Sequence, residues 1–130
     1  MLALSNNGFN SRIWGPHLWF VMHVLSLNYP LVPKAYHVKA YYNFFKSLCT
    51  VLPCATCREE FCKMVNAPGP LQLTMKKFSQ RGDLPGTARM RLARYVIDLH
   101  NRVNMRLKKK STMSREFWIQ KYARLRSSKI

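Results

Sequence analysis

Four cysteines, Cys49, Cys54, Cys57 and Cys62, fall within fourteen residues, and the 130-residue chain holds no others. The central two form a C-x-x-C directly after Pro53, and the outer two flank them five residues away on either side. Such a set can ligate a metal, form a structural disulfide, or work as a thiol pair that is oxidised and reduced in turn. A tetrahedral metal site needs all four thiolates to converge. If residues 56–66 are helical, Cys57 and Cys62 point ~140° apart around the axis, and Cys49 lies beyond the break made by Pro53. Convergence on one ion is therefore not expected. The redox option fits the local pattern better. Cys54 and Cys57 stand one turn apart at the start of a helix, close enough to close a disulfide. There, unpaired N–H groups and the helix macrodipole favour a thiolate and lower its pKa below the free ~8.5.

Two further clusters carry polar and aromatic groups on helical faces. "LHNRVNMRLKKK", residues 99–110, places His100, Asn104 and Leu107 nearly on one face, with Asn101 and Val103 beside it. "LWFVMH" puts Trp19 and His23 one turn apart. Taken singly, each is equally a set of buried groups that satisfy one another. The charge is the remaining oddity. Twenty-two Lys and Arg against five acids give +17, a bias toward nucleic acid, anionic lipid or acidic partners. From Arg102 to Ile130 there are ten basic residues and one acid, Glu116. That tail reads either as a polyanion-binding arm or as a solvated cationic helix face.

The elements that must position these groups are helical throughout. Trp14, Leu18, Val21 and Leu25 form one apolar stripe, which ends at "NYPLVP". A second helix follows Pro33, with Val38, Tyr41, Tyr42, Phe45, Leu48 and Leu52 on one side, and Pro53 breaks it. A short third helix starts at the cysteine pair and stops at "APGP". Residues 69–86 read as a loop with one turn of helix in "LTMKKF". A fourth helix runs from near Gly86 to about Lys108 on Leu92, Val96, Leu99, Val103 and Leu107. A last one, roughly 114–126, carries Phe117, Trp118, Tyr122 and Leu125 behind Ser114 as N-cap. No strand or repeat stands out. The expected architecture is all-α, a four-helix bundle plus a short fifth helix. The size fits a single domain, taken as 13–126 between tails 1–12 and 127–130. The N-terminus lacks a secretory h-region, and "LWFVMHVLSL" is too short to span a bilayer. The expectation is a soluble, cytoplasmic protein without a membrane segment, where stable structural disulfides are uncommon.

Taken in order, the motifs resemble the Erv/ALR family of FAD-dependent sulfhydryl oxidases, over roughly Trp14 to Trp118. The resemblance rests on Trp19 and His23 as W-x3-H with Pro30 seven residues on, then Pro53-Cys54-Ala55-Thr56-Cys57. His100-Asn101-Arg102-Val103-Asn104-Met105-Arg106-Leu107 and the following lysines complete it. The short chain and the "WGPHLW" opening look most like the small oxidases of large cytoplasmic DNA viruses. The resemblance implies a helical bundle with FAD at one end. It implies Cys57 as the flavin-proximal cysteine and Cys54 as the interchange cysteine that accepts a substrate thiolate. Gly15, Trp19, His23, His100, Asn101, Val103, Asn104 and Leu107 would line the cofactor. Lys109, or Lys108 or Lys110 in its place, would meet the phosphates, and Trp118 would cover the adenine. No metal is implied.

The same resemblance implies a thiol-bearing protein substrate, O2 as acceptor with H2O2 as product, and a homodimer formed through the first two helices. Tyr41, Tyr42 and Phe44 would supply the dimer's apolar patch. The chain departs from cellular members in having no cysteine after Cys62 and no second C-x-x-C to act as a shuttle. A separate, acidic relay protein with its own dithiol is therefore expected. Cys49 and Cys62 have no counterpart and stay either free or paired. Host cytoplasm and virion are the implied settings for a viral chain, and nucleic acid binding through the tail is not expected. The rival reading is a non-enzymatic basic adaptor, with zinc on the cysteines and nucleic acid on the tail.

Overall fold

The computed structural model describes residues 8–109 and 114–127, so Lys110 lies outside the described residues. Five helices follow one another: α1 (Ser11–Leu27), α2 (Ala35–Val51), α3 (Ala55–Asn66), α4 (Thr87–Arg106) and α5 (Arg115–Ala123), with one 3-10 turn at Met75–Lys77. Each boundary has a local cause. Asn10 caps α1 by accepting from the Arg12 N–H at 3.0 Å. Leu52, the residue before Pro53, takes the extended conformation that proline imposes on its predecessor, and α2 stops there. Gly86 opens α4 at φ +86°, in the left-handed region, and donates to the Leu31 carbonyl at 2.8 Å. Ser114 caps α5 by accepting from the Phe117 N–H at 3.1 Å, as the sequence predicts.

The core lies between α1, α2, α3 and α4. Phe45, Leu92, Val96 and Leu99 are fully buried there, with Met22, Leu48, Phe61 and Val65 around them. Loss of such large apolar side chains from a close-packed core costs about 2–5 kcal/mol each. The connection between α3 and α4 is more than a loop. Its Phe78 is wholly buried, and the Tyr29 hydroxyl donates to the Phe78 carbonyl. Helical periodicity carries no signal for a single ring inserted from irregular chain. α5 packs on α1 and α4 with only Trp118 buried.

The aromatic residues of α2 are placed differently from the sequence expectation. Tyr41 packs edge-on against Tyr29, Tyr42 against Phe78, and Phe44 against Phe45. All three are half-buried against the chain's own core, so each leaves only part of its ring exposed. More exposed apolar side chains include Ile13, Phe20, Val21 and Val24 on α1, Leu31 and Val32 after it, and Tyr36 and Val51 on α2. Among the described residues, no helix is long and apolar enough to cross a membrane.

Candidate active site

Cys54 is the N-cap of α3, with an extended backbone at φ −162° and ψ 120°. Its sulfur is bonded to that of Cys57 and accepts the Cys57 backbone N–H at 3.2 Å. Pro53 ends α2 and leaves the chain extended, so the cysteine that follows falls at the start of the next helix, where orphan N–H groups point. The turn is fixed from two sides. The Leu52 carbonyl accepts the Arg58 guanidinium at 2.6 Å, and the Pro53 carbonyl accepts the Phe9 N–H at 2.6 Å.

The two sulfurs face different surroundings. Cys57 forms part of the wall of a cavity of about 360 Å³, whereas Cys54 does not. Around Cys57 the wall is apolar: Leu48, Leu52, Phe61 and Met64 come from α2 and α3. The opposite wall is a group of flat rings from α1, α4 and α5. Trp19 stacks on His100 at 4.2 Å with planes 6° apart, and Trp118 stacks on Tyr122 at 5.4 Å and 7°. Arg106 and Lys109 supply positive charge at the rim, Arg106 in an ion pair with Glu60. Such a lining of flat rings, apolar side chains and cations suits a ligand with flat apolar groups and negative charge.

His23 lies behind the ring wall. It stacks on Tyr122 at 4.7 Å and on Trp118 at 5.4 Å, and its Nε2 is 2.9 Å from the Nδ1 of His100. One nitrogen donates and the other accepts, and burial keeps both imidazoles neutral. Burial, then His100 and Lys121, push the His23 pKa down to about 3. Burial, then Lys109, push that of His100 down to about 4. A proton on either ring would place a charge in an apolar setting.

Of the residues expected at a cofactor, Gly15, Trp19, Cys57, His100, Val103, Leu107, Lys109 and Trp118 line the cavity. His23, Asn101 and Asn104 do not. Asn104 is buried, and its carbonyl accepts the Lys109 N–H at 2.9 Å, which folds the chain back after α4. Tyr122, which the sequence reading leaves as a helix residue, and Met22, which it does not single out, belong to the wall. The signal for Tyr122 is its spacing of one turn from Trp118.

Cys49 and Cys62 are free and half-buried, and the Cys62 thiol lies 3.6 Å from the Cys49 carbonyl. Burial, then the hydrogen bond with Cys62, push the Cys49 thiol up to about 12. A thiol so raised is a poor nucleophile. Among the described residues, no three His, Cys, Asp or Glu side chains are placed to hold a metal ion. Elsewhere, Lys76, Lys77, Arg91, Arg94 and Arg115 line a groove of about 410 Å³ together with Asp98. Arg91 is paired with Asp83 and Arg115 with Asp98.

The model of the Erv1 / Alr family matches residues 16–123. A probable FAD-linked sulfhydryl oxidase of Acanthamoeba polyphaga mimivirus is 34% identical over 91 residues, 70% of this chain and 56% of that protein. The chain thus spans little more than half the length of that relative. A putative FAD-linked sulfhydryl oxidase of Invertebrate iridescent virus 6 is 28% identical over 101 residues, 75% of this chain and 82% of the relative. The yeast Erv1 core superposes with a TM-score of 0.68 at 20% identity, covering 92% of this chain and 89% of that one. A double cysteine-to-serine mutant of Erv1 from Saccharomyces cerevisiae gives 0.71 at 19% identity, over 98% and 99%. These structures share the fold.

Proposed function

Because the chain belongs to the Erv1 / Alr family, we propose that it is an FAD-dependent sulfhydryl oxidase that makes disulfides in protein dithiols. One observation carries the reading: the Cys54–Cys57 disulfide has Cys57 in the cavity wall and Cys54 outside it. A substrate thiolate attacks the Cys54 sulfur, the Cys54–Cys57 bond breaks, and Cys57 leaves as a thiolate inside the cavity. A second substrate thiolate then attacks the substrate sulfur of the mixed disulfide and releases Cys54. The substrate is oxidised by two electrons and the cysteine pair is reduced by two. The N–H groups at the start of α3 stabilise the thiolates formed in both steps.

The cavity residues fit FAD. Its flat rings and the apolar side chains beside Cys57 would hold the ring systems of FAD, and Arg106 and Lys109 would meet its pyrophosphate. FAD, when bound, takes the electron pair from the dithiol and passes it to O2, giving H2O2. Trp19, His100, Trp118 and Tyr122 hold the flat groups, and the neutral His23–His100 pair fixes the orientation of the His100 ring.

A separate acidic dithiol protein is the proposed relay partner, supported by the +17 charge and the cationic groove. We also read the chain as a homodimer. The exposed Ile13, Val21 and Val24 of α1 support that reading. The two viral relatives support a host-cytoplasm or virion setting.

The test is direct. Purified protein should be yellow with stoichiometric FAD and should oxidise dithiothreitol with H2O2 release. Cys54→Ser should keep FAD and lose oxidation of protein dithiols, and Cys57→Ser should also inactivate. Full turnover in both single mutants, or a colourless protein with stoichiometric zinc, would reject the assignment.

A further inference from the structure

Gly8 touches the active turn at its most constrained point. It sits at φ +84°, forms an antiparallel bridge with Cys54, and packs so closely that an added Cβ would lie 2.3 Å from the Pro53 oxygen and 2.7 Å from its carbon. Both are backbone atoms, so no side-chain movement relieves the clash. The next residue continues the contact: the Phe9 N–H donates to the Pro53 carbonyl at 2.6 Å. The Phe9 carbonyl in turn accepts the Trp14 Nε1–H at 2.9 Å, which ties the segment to the first turns of α1. A short strap thus runs from α1 to the peptide just before the interchange sulfur.

We propose that this strap, with Gly8 as its key, is a positioning element that holds Cys54 in the extended N-cap conformation its thiolate chemistry needs. The inference rests on the reading of Cys54 as the cysteine that exchanges with substrate. An N-cap residue must keep β-region dihedrals for its side chain to reach the N–H groups of the first turn. Cys54 does so, and its sulfur accepts the Cys57 N–H. In the reduced pair the same N–H and the macrodipole stabilise the Cys54 thiolate. A flexible pre-helical turn would sample other dihedrals and lose that contact for part of the time. The strap and the Arg58 guanidinium, on Leu52, restrain the turn from two directions.

The molecule supplies its own control. Gly82 has nearly the same φ, +86°, but nothing lies within 4 Å of an added Cβ. Gly8→Ala and Gly82→Ala therefore carry similar backbone strain, and only the first disturbs the cysteine turn. Full-length, FAD-loaded protein carrying Cys49→Ser, Cys57→Ser and Cys62→Ser leaves Cys54 as the one thiol, with the N–H of residue 57 retained. In this background the rate of iodoacetamide alkylation against pH reports the Cys54 pKa. Gly8→Ala should raise that pKa and slow alkylation at pH 7 about fivefold, which corresponds to about 1 kcal/mol. Gly82→Ala should leave both unchanged. With all four cysteines present, Gly8→Ala should shift the glutathione equilibrium of the Cys54–Cys57 pair about fivefold toward the disulfide.

Should Gly8→Ala fail to fold, Trp14→Phe loosens the strap at its other anchor by removing the donor to Phe9, and should move the pKa in the same direction. Equal Cys54 pKa values in Gly8→Ala and Gly82→Ala, or in Trp14→Phe and its parent if that variant is needed, would overturn the proposal. Alkylation needs no turnover, so an inactive, colourless protein would reject the oxidase reading while this measurement still decided the role of the strap.

Discussion

The buried imidazole pair makes stability depend on pH in a calculable way. His23 has a pKa of about 3 in the folded chain against 6.5 unfolded. Its folded pKa is depressed, and for a base this means that the unfolded chain takes up the proton first. Stability is therefore full above pH 6.5 and is lost as pH falls through that value, continuing down to about 3. Between pH 7 and pH 5 the loss from His23 alone is about 2 kcal/mol at 1.36 kcal/mol per pH unit. His100 shifts in the same direction, but it is partly open to water, and screening reduces its share to about 0.5–1 kcal/mol. Together these lower the melting temperature by roughly 10 °C for a domain of this size. The assay is a thermal melt with FAD in constant excess at half-unit steps from pH 7 to 5, for the wild type and His23→Gln. The glutamine amide does not titrate and can still hydrogen-bond His100. It should melt lower at pH 7 but lose less than half as much stability on acidification. Only five acids exist in the chain, and ordinary carboxylates stay ionised over most of this range. An unchanged pH slope in His23→Gln would refute the argument.

Other outcomes follow from the same geometry. Trp19→Ala and His100→Ala each delete a flat wall of the cavity and should release FAD, lowering thermal stability by mass action, about 2.7 kcal/mol where FAD stood at 100 times its Kd; spectra and melts of the purified variants check this. Cys49→Ser and Cys62→Ser should each retain most dithiothreitol oxidation, because these thiols lie apart from the disulfide and Cys49 is held neutral. Raising ionic strength should slow oxidation of an acidic partner protein several-fold and leave dithiothreitol oxidation level, since the Debye length is ~10 Å at 0.1 M. Stopped-flow assays of both substrates in one preparation would show whether the charge serves docking.

Much of the fold is legible because helices announce their ends. Pro33, Pro53, Gly86 and Ser114 each mark a boundary to within about two residues, and the stripe Leu92, Val96, Leu99 lies in the core as its spacing requires. Depth is harder to read than direction. A helical wheel places His23, His100 and Asn104 toward the bundle, but cannot say that His100 reaches the cavity while His23 stands behind it and Asn104 closes a turn. Phe78 was hidden for a different reason. Its burial depends on irregular chain wrapping onto Tyr29, and no period in the sequence encodes that. The same holds for Tyr42, whose ring partner is that same Phe78.

The cavity walls come from segments far apart in sequence. Ser11 to Met22 form one side, residues from His100 to Tyr122 another, and the cysteine turn lies between them in sequence. During synthesis, α2 and α3 leave the ribosome with the reactive thiols well before the ring wall that completes the pocket exists. A chain cut short after α4 would carry the cysteine pair with no Trp118 or Tyr122 beside it. On the proposed function, retained flavin would report that α5 has been made, and order of synthesis would keep the thiols from their oxidant until then.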